Sequence, residues 1–213
     1  MPTRGGVVVS GAVEGLIDEA VLRGLLTHVG AAVGAVHGKH GKDDLRHGLR
    51  GYNSAARWAP WVVLVDLNRD EACAPPLRRL WLPDPAPGMC FRIVVRKIEA
   101  WLLADRERIA RFLGVPLSRV PPSPEAVDDP KQLMVELARR SRRREIREDM
   151  VPRPGSGRQV GPAYTSRLVE FVERHWRPGV AARSADSLRR CLKRLDQLVR
   201  GRPPRSPSAR SSR

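Results

Sequence analysis

The stretch 60-PWVVLVDLNRDE-71 decides the fold, because an unbroken apolar run from Trp61 to Val65 leads directly into Asp66. A short run of this kind is typical of a strand that is buried on both faces, as in a parallel sheet. Side chains at the carboxyl ends of parallel strands meet along one edge of the sheet, where ligands bind. We therefore expect Asp66 to lie at a ligand-binding edge.

The sequence around this stretch predicts a sheet whose strands alternate with helices. Further strands are predicted at residues 6–15 and 31–38, and a fourth begins at Cys90 and becomes helical near Lys97. Apolar residues at helical spacing predict helices at 17–30 and 45–58, with a short helix at 75–82. Strands that alternate with helices form a mainly parallel sheet covered on both faces, so the predicted fold class is α/β.

From Asp105 onward the pattern indicates helices separated by Pro-rich loops. Helices are predicted at 106–114, 130–146, 164–176 and 184–199. Asp105 and Asp129 are both predicted to be helix N-caps, the second followed by Pro at the first helical position. The last helix is amphipathic and suited to packing on the sheet. The predicted organisation is an α/β domain at 1–104, a helical extension packed on it at 105–199, and a disordered basic tail at 200–213.

The charge of the chain points to a polyanionic partner. A formal net charge of +16 and a pI near 11.3 favour contact with nucleic acid, although abundant Arg is also typical of GC-rich genomes. Cys73, Cys90 and Cys191 match neither a disulfide framework nor a zinc site, which fits a reducing compartment. The longest apolar run near the start is too short to span a bilayer. We expect a cytoplasmic protein without a membrane partner.

Acidic residues follow three of the predicted strands and form a candidate metal site. Asp66, Asn68 and Asp70 would point the same way if the backbone stayed extended, which suits a hard cation such as Mg²⁺ or Mn²⁺. The alternatives are a turn or cap role for Asp66 and a solvated acid for Asp70. Glu14 follows the first strand. Glu99 follows the fourth, in an apolar setting where a carboxylate requires a partner: Arg96, Lys97 or a metal ion.

Basic and aromatic residues have more general interpretations. Contacts with nucleic-acid phosphates are predicted for Lys39, Lys42, Arg96, Arg158 and Arg167. Tyr164, near the loop that contains Arg158, is a further candidate for phosphate contact. Packing in the core is the expectation for Trp58, Trp61, Trp101 and Trp176.

Two known folds share a hydrophobic strand that ends in Asp. A response-regulator receiver domain also needs an acidic pair after the first strand, which this sequence lacks. A Toprim-like domain has a Glu after the first strand and a DxD-type motif after the third, which Glu14 and Asp66 fit.

Several spaced segments resemble a more particular family. These are VEGLIDEAVLRGLL, WVVLVDLNRDEACAPPLRRLWLP, FRIVVRKIEAWLLAD, DDPKQLMVELARRSRRR, VGPAYTSRLVEFV and SADSLRRCLKRL. Together they resemble the bacterial family catalogued as domain of unknown function 4276, over about residues 7 to 198. That family is regarded as Toprim-like, and similar proteins are often encoded beside an ATPase of the AAA or ABC type in mobile-element and phage-defence loci.

The resemblance implies roles for individual residues. Glu14 would match the Toprim glutamate, a general base or acid and metal contact, and Asp66 the first acid of the DxD motif. Asn68 occupies the second position, where the pattern has Asp, and Asp70 or Glu99 would compensate for the missing charge. The implied function is an Mg²⁺-dependent nuclease subunit that works with an ATPase. The alternative is a noncatalytic nucleic-acid-binding or ATPase-partner module with a degraded metal site.

Overall fold

A four-stranded, all-parallel sheet forms the centre of the protein. The computed structural model describes residues 6–68, 71 and 73–201. The strands are β1 (Val8–Val13), β2 (Ala32–Gly38), β3 (Trp61–Asp66) and β4 (Met89–Val94). Their order in the sheet is β2-β1-β3-β4, so β4 lies at one edge. The predicted parallel α/β sheet, followed by a helical C-terminal part, is confirmed.

The helices that surround the sheet follow the predicted order, with some changes. They are α1 (Leu16–His28), α2 (Lys42–Ala55), α3 (Ala74–Trp81), α4 (Ile98–Leu103), α5 (Arg106–Leu113), α6 (Pro130–Arg139), α7 (Arg144–Met150), α8 (Tyr164–Arg174), α9 (Pro178–Ala181) and α10 (Asp186–Val199). Two short 3-10 turns, Leu117–Arg119 and Pro124–Ala126, lie between α5 and α6. Within the described part of the chain, no helix combines the length and the apolar character needed to cross a membrane.

The two faces of the sheet bury separate hydrophobic cores because side chains alternate along each strand. On β3, Val62 and Leu64 point into the larger core, whereas Val63 and Val65 point into the smaller one. Helices α2 and α3 cover the smaller core. The larger core is covered by α1 and by the helices of the C-terminal half, including the amphipathic α10, which packs against β4 as its pattern predicts.

One predicted helix of the C-terminal half is interrupted. Residues 130–146 do not form a continuous helix: α6 ends at Arg139 and α7 begins at Arg144. Between them lies Ser141, whose buried hydroxyl accepts a hydrogen bond from the backbone N–H of Arg143 at 2.9 Å. A side chain that bonds locally to the backbone competes with the helix, which explains the break. The predicted cap at Asp129 is confirmed, since its carboxylate accepts the Gln132 N–H at 3.1 Å.

Asp105 lies directly before α5, as predicted, but its side chain does not cap the helix. The carboxylate is fully buried and instead accepts hydrogen bonds from the backbone N–H and the guanidinium group of Arg177, at 2.6 to 3.0 Å. The cap prediction for its side chain is therefore wrong. Burial favours the arginine, because a buried carboxylate needs a charged partner with several donors.

The four tryptophans that were predicted to pack in the core differ in burial. Trp101 and Trp176 are buried as predicted, and Trp61 is half-buried and stacks on Tyr52 with 5.2 Å between ring centroids. Trp58 is 90% exposed, so its predicted place in the core is wrong. It lies in the turn after α2, before the chain enters the sheet at β3, and this turn carries its side chain outward.

Candidate functional site

Four carboxylates lie near one another at the carboxyl edge of the sheet. Glu14 follows β1, Asp66 ends β3, Asp18 lies in the first turn of α1 and Glu99 in the first turn of α4. Each of Glu14, Asp18 and Glu99 raises the pKa of Asp66 through its charge, which shows that they are close in space. We call these four residues the acidic cluster.

The end of β3 is fixed by contacts with its neighbours. The backbone N–H of Asp66 donates to Glu14 Oε1 at 2.8 Å, which ties β3 to the residue after β1. Lys42, at the start of α2, donates from Nζ to the backbone carbonyl of Asp66. The carboxylate of Asp66 is held less firmly, since its Oδ1 is buried without a hydrogen-bond partner among the described residues.

Glu99 is only 1% exposed and has different partners from those predicted. Its Oε1 accepts a hydrogen bond from the Tyr164 hydroxyl at 3.1 Å and lies 3.7 Å from Lys131 Nζ. Its Oε2 is buried without a partner in the described part of the chain. The two predicted basic partners are engaged elsewhere. Lys97 pairs with Asp129 at 2.9 Å, and Arg96 donates to the Asn68 carbonyl at 3.4 Å.

The electrostatics of the acidic cluster favour protonation or a bound cation. Burial, followed by the charges of Glu14 and Glu99, raises the pKa of Asp18 to about 7. Burial and the other three carboxylates raise the pKa of Asp66 well above its ordinary value. Lys131 opposes both shifts, but its effect is the smallest. The four carboxylates therefore carry more negative charge than Lys131 alone balances.

The turn after β3 changes the interpretation of the DxD-like motif. The strand ends at Asp66, and Asn68 adopts a left-handed backbone with φ of +53°. The extended backbone in which Asp66 and Asn68 would point the same way is therefore not continued at Asn68. Asn is among the few residues that tolerate this region, and the Asn68 N–H donates to the Arg96 carbonyl at 2.8 Å. Asp70 lies outside the described residues.

The donor chemistry of the cluster suits a hard divalent cation. Among residues 6–68, 71 and 73–201, no group of three or more His, Cys, Asp or Glu side chains is placed to hold a metal ion. Mg²⁺, however, is commonly bound through one or two carboxylates and completes its shell with water. Asp66 Oδ1 and Glu99 Oε2 fit that role, because each is a buried carboxylate oxygen that lacks a donor within the described part of the chain.

The five predicted phosphate-binding residues do not form one group. Lys42 and Arg96 contact the backbone at the carboxyl edge of the sheet, whereas Lys39 pairs with Glu19 at 3.1 Å. Arg158 is exposed in the loop before α8. Arg167, on α8, pairs with two carboxylates, at 2.7 and 3.0 Å. Their contact with nucleic acid stays a prediction.

Three residues of the site were not predicted to lie beside the acidic residues, although Tyr164 was a candidate for phosphate contact. Asp18 lies four residues after Glu14, and this spacing at the start of a helix is the signal that could have identified it. Lys131 and Tyr164 come from α6 and α8, far along the chain from Glu99. Only the packing of those helices against α4 and α1 brings them to the cluster.

Comparisons with known proteins identify no significantly similar protein. No protein-family model matches the chain, and no curated protein or solved structure is significantly similar to it. The resemblance to domain of unknown function 4276 therefore rests on the sequence motifs alone.

Proposed function

We propose that this chain is a Toprim-like nuclease subunit that uses Mg²⁺ or Mn²⁺ to cleave phosphodiester bonds in DNA or RNA. The acidic cluster carries the proposal. Carboxylates from three parts of the chain meet at the ligand-binding edge of a parallel sheet. Asp66 and Glu99 each keep a buried oxygen that has no donor among the residues the structure describes. Such an arrangement is costly unless a cation or a proton compensates it.

The residues of the cluster take distinct roles in this proposal. Asp66 and Glu99 would hold the cation, with Asp18 beside them and Asp70 as the predicted further ligand. Tyr164 and Lys131 orient Glu99 through its other oxygen. Glu14, positioned by the Asp66 N–H, would accept the proton of the attacking water. A bound divalent cation would polarise a phosphoryl oxygen and lower the pKa of a bound water.

Charge and resemblance support the choice of substrate and partner. A net charge of +16 favours a polyanion, and the basic residues Lys39, Lys42, Arg96, Arg158 and Arg167 would hold the nucleic-acid backbone. The partnership with an AAA- or ABC-type ATPase comes from the family resemblance.

The test is plasmid nicking with Mg²⁺ or Mn²⁺, with the chain alone and together with any ATPase encoded beside it. Asp66→Asn should lower the nicking rate by about a hundredfold or more, because it removes a charge that holds the cation. Glu145→Gln removes a carboxylate from an exposed position on α7 and should leave the rate unchanged. Equal nicking by the wild type and Asp66→Ala would refute the assignment.

A second candidate function, without catalysis, is supported by different observations. Asn68 replaces an acid of the pattern and lies in a left-handed turn, and no three-ligand group is present among the described residues. These features fit a noncatalytic module that binds nucleic acid or an ATPase. That function predicts salt-sensitive binding that EDTA does not change, without nicking under any condition.

A further inference from the structure

A cavity of about 580 Å³ opens beside the edge strand β4, between α3 and the start of α10. Its apolar walls include Pro75, Ile93 and Val95. Val95 directly follows β4, so one end of the cavity reaches the carboxyl edge of the sheet. The volume lies within the range of small-molecule sites. We call this space the arginine cavity because four arginines line it: Arg78, Arg79, Arg92 and Arg190.

Two of these guanidinium groups, those of Arg78 and Arg92, lie close enough together for the charge of one to act on the other. Arg78 Nε and Arg92 Nε are buried, and neither has a hydrogen-bond partner among the described residues. Burial, then the charge of Arg92, lower the pKa of Arg78; Cys90 opposes this shift, and Arg194 adds a smaller lowering effect. Arg194 is itself held by the backbone carbonyls of Pro87 and Met89. Like charges are thus gathered at a partly buried site, which is unfavourable without an anion.

The acids that line the cavity are already engaged. Glu125 accepts hydrogen bonds from the backbone N–H groups of Asp186 and Ser187, at 2.8 and 3.0 Å, and from the Ser187 hydroxyl at 2.5 Å. Asp186 pairs with Arg190 at 2.5 Å and also with Arg189. Neither carboxylate forms an ion pair with Arg78 or Arg92 within the described residues. Within the described part of the chain, the lining acids therefore leave Arg78 and Arg92 available to an anion from solution.

We infer that the arginine cavity binds a phosphate group, with Arg78 and Arg92 as its principal ligands. Guanidinium groups donate paired hydrogen bonds that match phosphate oxygens, and the apolar walls can bury the carbon skeleton attached to the phosphate. A nucleotide and the backbone of a nucleic-acid strand both carry this group. The inference concerns binding alone and does not depend on the proposed cleavage.

The first experiment uses the wild-type protein in EDTA, so that the acidic cluster holds no cation. Inorganic phosphate, AMP and a short single-stranded DNA are compared with sodium chloride at equal ionic strength, with thermal unfolding as the measurement. At least one of the phosphate-bearing probes should raise the Tm above that in chloride. If none does, the inference is overturned whatever the variants show.

The second experiment assigns the binding to the cavity. Arg78→Gln and Arg92→Gln should each weaken the binding of the active probe by about tenfold, because each removes a charge-assisted pair of hydrogen bonds. Without the probe, both variants should be as stable as the wild type or more stable, since each relieves repulsion between guanidinium groups. A role limited to packing would instead lower the Tm and leave the affinity unchanged, which overturns the inference.

A matched control distinguishes binding in the arginine cavity from nonspecific attraction by the overall positive charge. Arg111→Gln also removes one positive charge, but from an exposed position on α5 that does not line the cavity. Its affinity for the probe should stay within about twofold of the wild type. An equal loss in Arg111→Gln and Arg92→Gln would overturn the inference. Competition by AMP against the DNA would identify a nucleotide as the source of the phosphate, and binding of DNA that AMP does not displace would identify a strand.

Discussion

Two sets of buried carboxylates in this protein differ in how their charge is compensated. Asp105, before α5, is fully buried and accepts three hydrogen bonds from Arg177. Glu99, in α4, is almost as deeply buried, yet one of its oxygens has no partner in the described part of the chain, and Asp66 has the same deficit. A compensated acid holds a fold together, whereas an uncompensated group of acids costs stability and is expected where a ligand binds.

The strongest test of this contrast is the removal of Asp105. Asp105→Ala leaves the Arg177 side chain and backbone N–H without their acceptor, and we expect the free energy of unfolding to fall by about 3–4 kcal/mol. Partial exposure of Arg177 keeps the loss from being larger. Denaturation by urea measures it. The control is Glu107→Ala, which removes the exposed second partner of Arg177 and should cost about 0.5 kcal/mol. Equal losses would contradict the structural role of Asp105.

The acidic cluster should respond to a cation instead. Mn²⁺ at a hundredfold excess over its Kd should raise the free energy of unfolding by about 2.7 kcal/mol, because the ion binds the folded state alone. Calorimetric titration gives the Kd and thermal unfolding gives the stabilisation. Asp66→Asn should fold and lose most of the effect. Asp105→Ala should be stabilised by Mn²⁺ as much as the wild type is, because Asp105 is not expected to bind the ion. If Mn²⁺ also stabilises Asp66→Asn as much as the wild type, Asp66 is not a ligand.

The contrast also shows what the sequence could predict. Local features of the sequence predict the parallel sheet: the apolar run before Asp66 and the alternation of strands and helices. The same features predict that Glu14, Asp66 and Glu99 lie at the edge of the sheet. The partners of Glu99 were not predictable, since Tyr164 and Lys131 reach it only through the packing of α8 and α6. The exposure of Trp58 and the Arg177 contact of Asp105 depend on tertiary structure in the same way.

The pH dependence of stability should be set in part by Asp18. Its pKa rises from an ordinary value of 3.8 to about 7 in the folded protein, so between these limits the folded state holds a proton that the unfolded state has lost. Stability therefore falls by up to about 4 kcal/mol as the pH rises from about 4 to about 7, and it levels off above that. Unfolding in urea and EDTA across this range measures the slope.

Asp18→Asn should flatten that slope, because the amide does not titrate. The variant should match the wild type near pH 4 and exceed it in stability at pH 8. Glu145→Gln, at an exposed position, should retain the wild-type slope. An unchanged slope in Asp18→Asn would assign the proton to another member of the cluster.

The smallest effect on stability is expected at Asn68, where the turn and the cation site would overlap. Asp tolerates the left-handed backbone nearly as well as Asn, so Asn68→Asp should change the free energy of unfolding by no more than about 0.5 kcal/mol. If residue 68 faces the cation, the added charge should tighten Mn²⁺ binding by about tenfold. Asn68→Gly keeps the turn, removes the side-chain oxygen and should weaken binding. Calorimetric titration measures the Mn²⁺ affinity of both variants. If neither affinity changes, Asn68 serves only the turn, and the cation is bound by the acidic cluster without it.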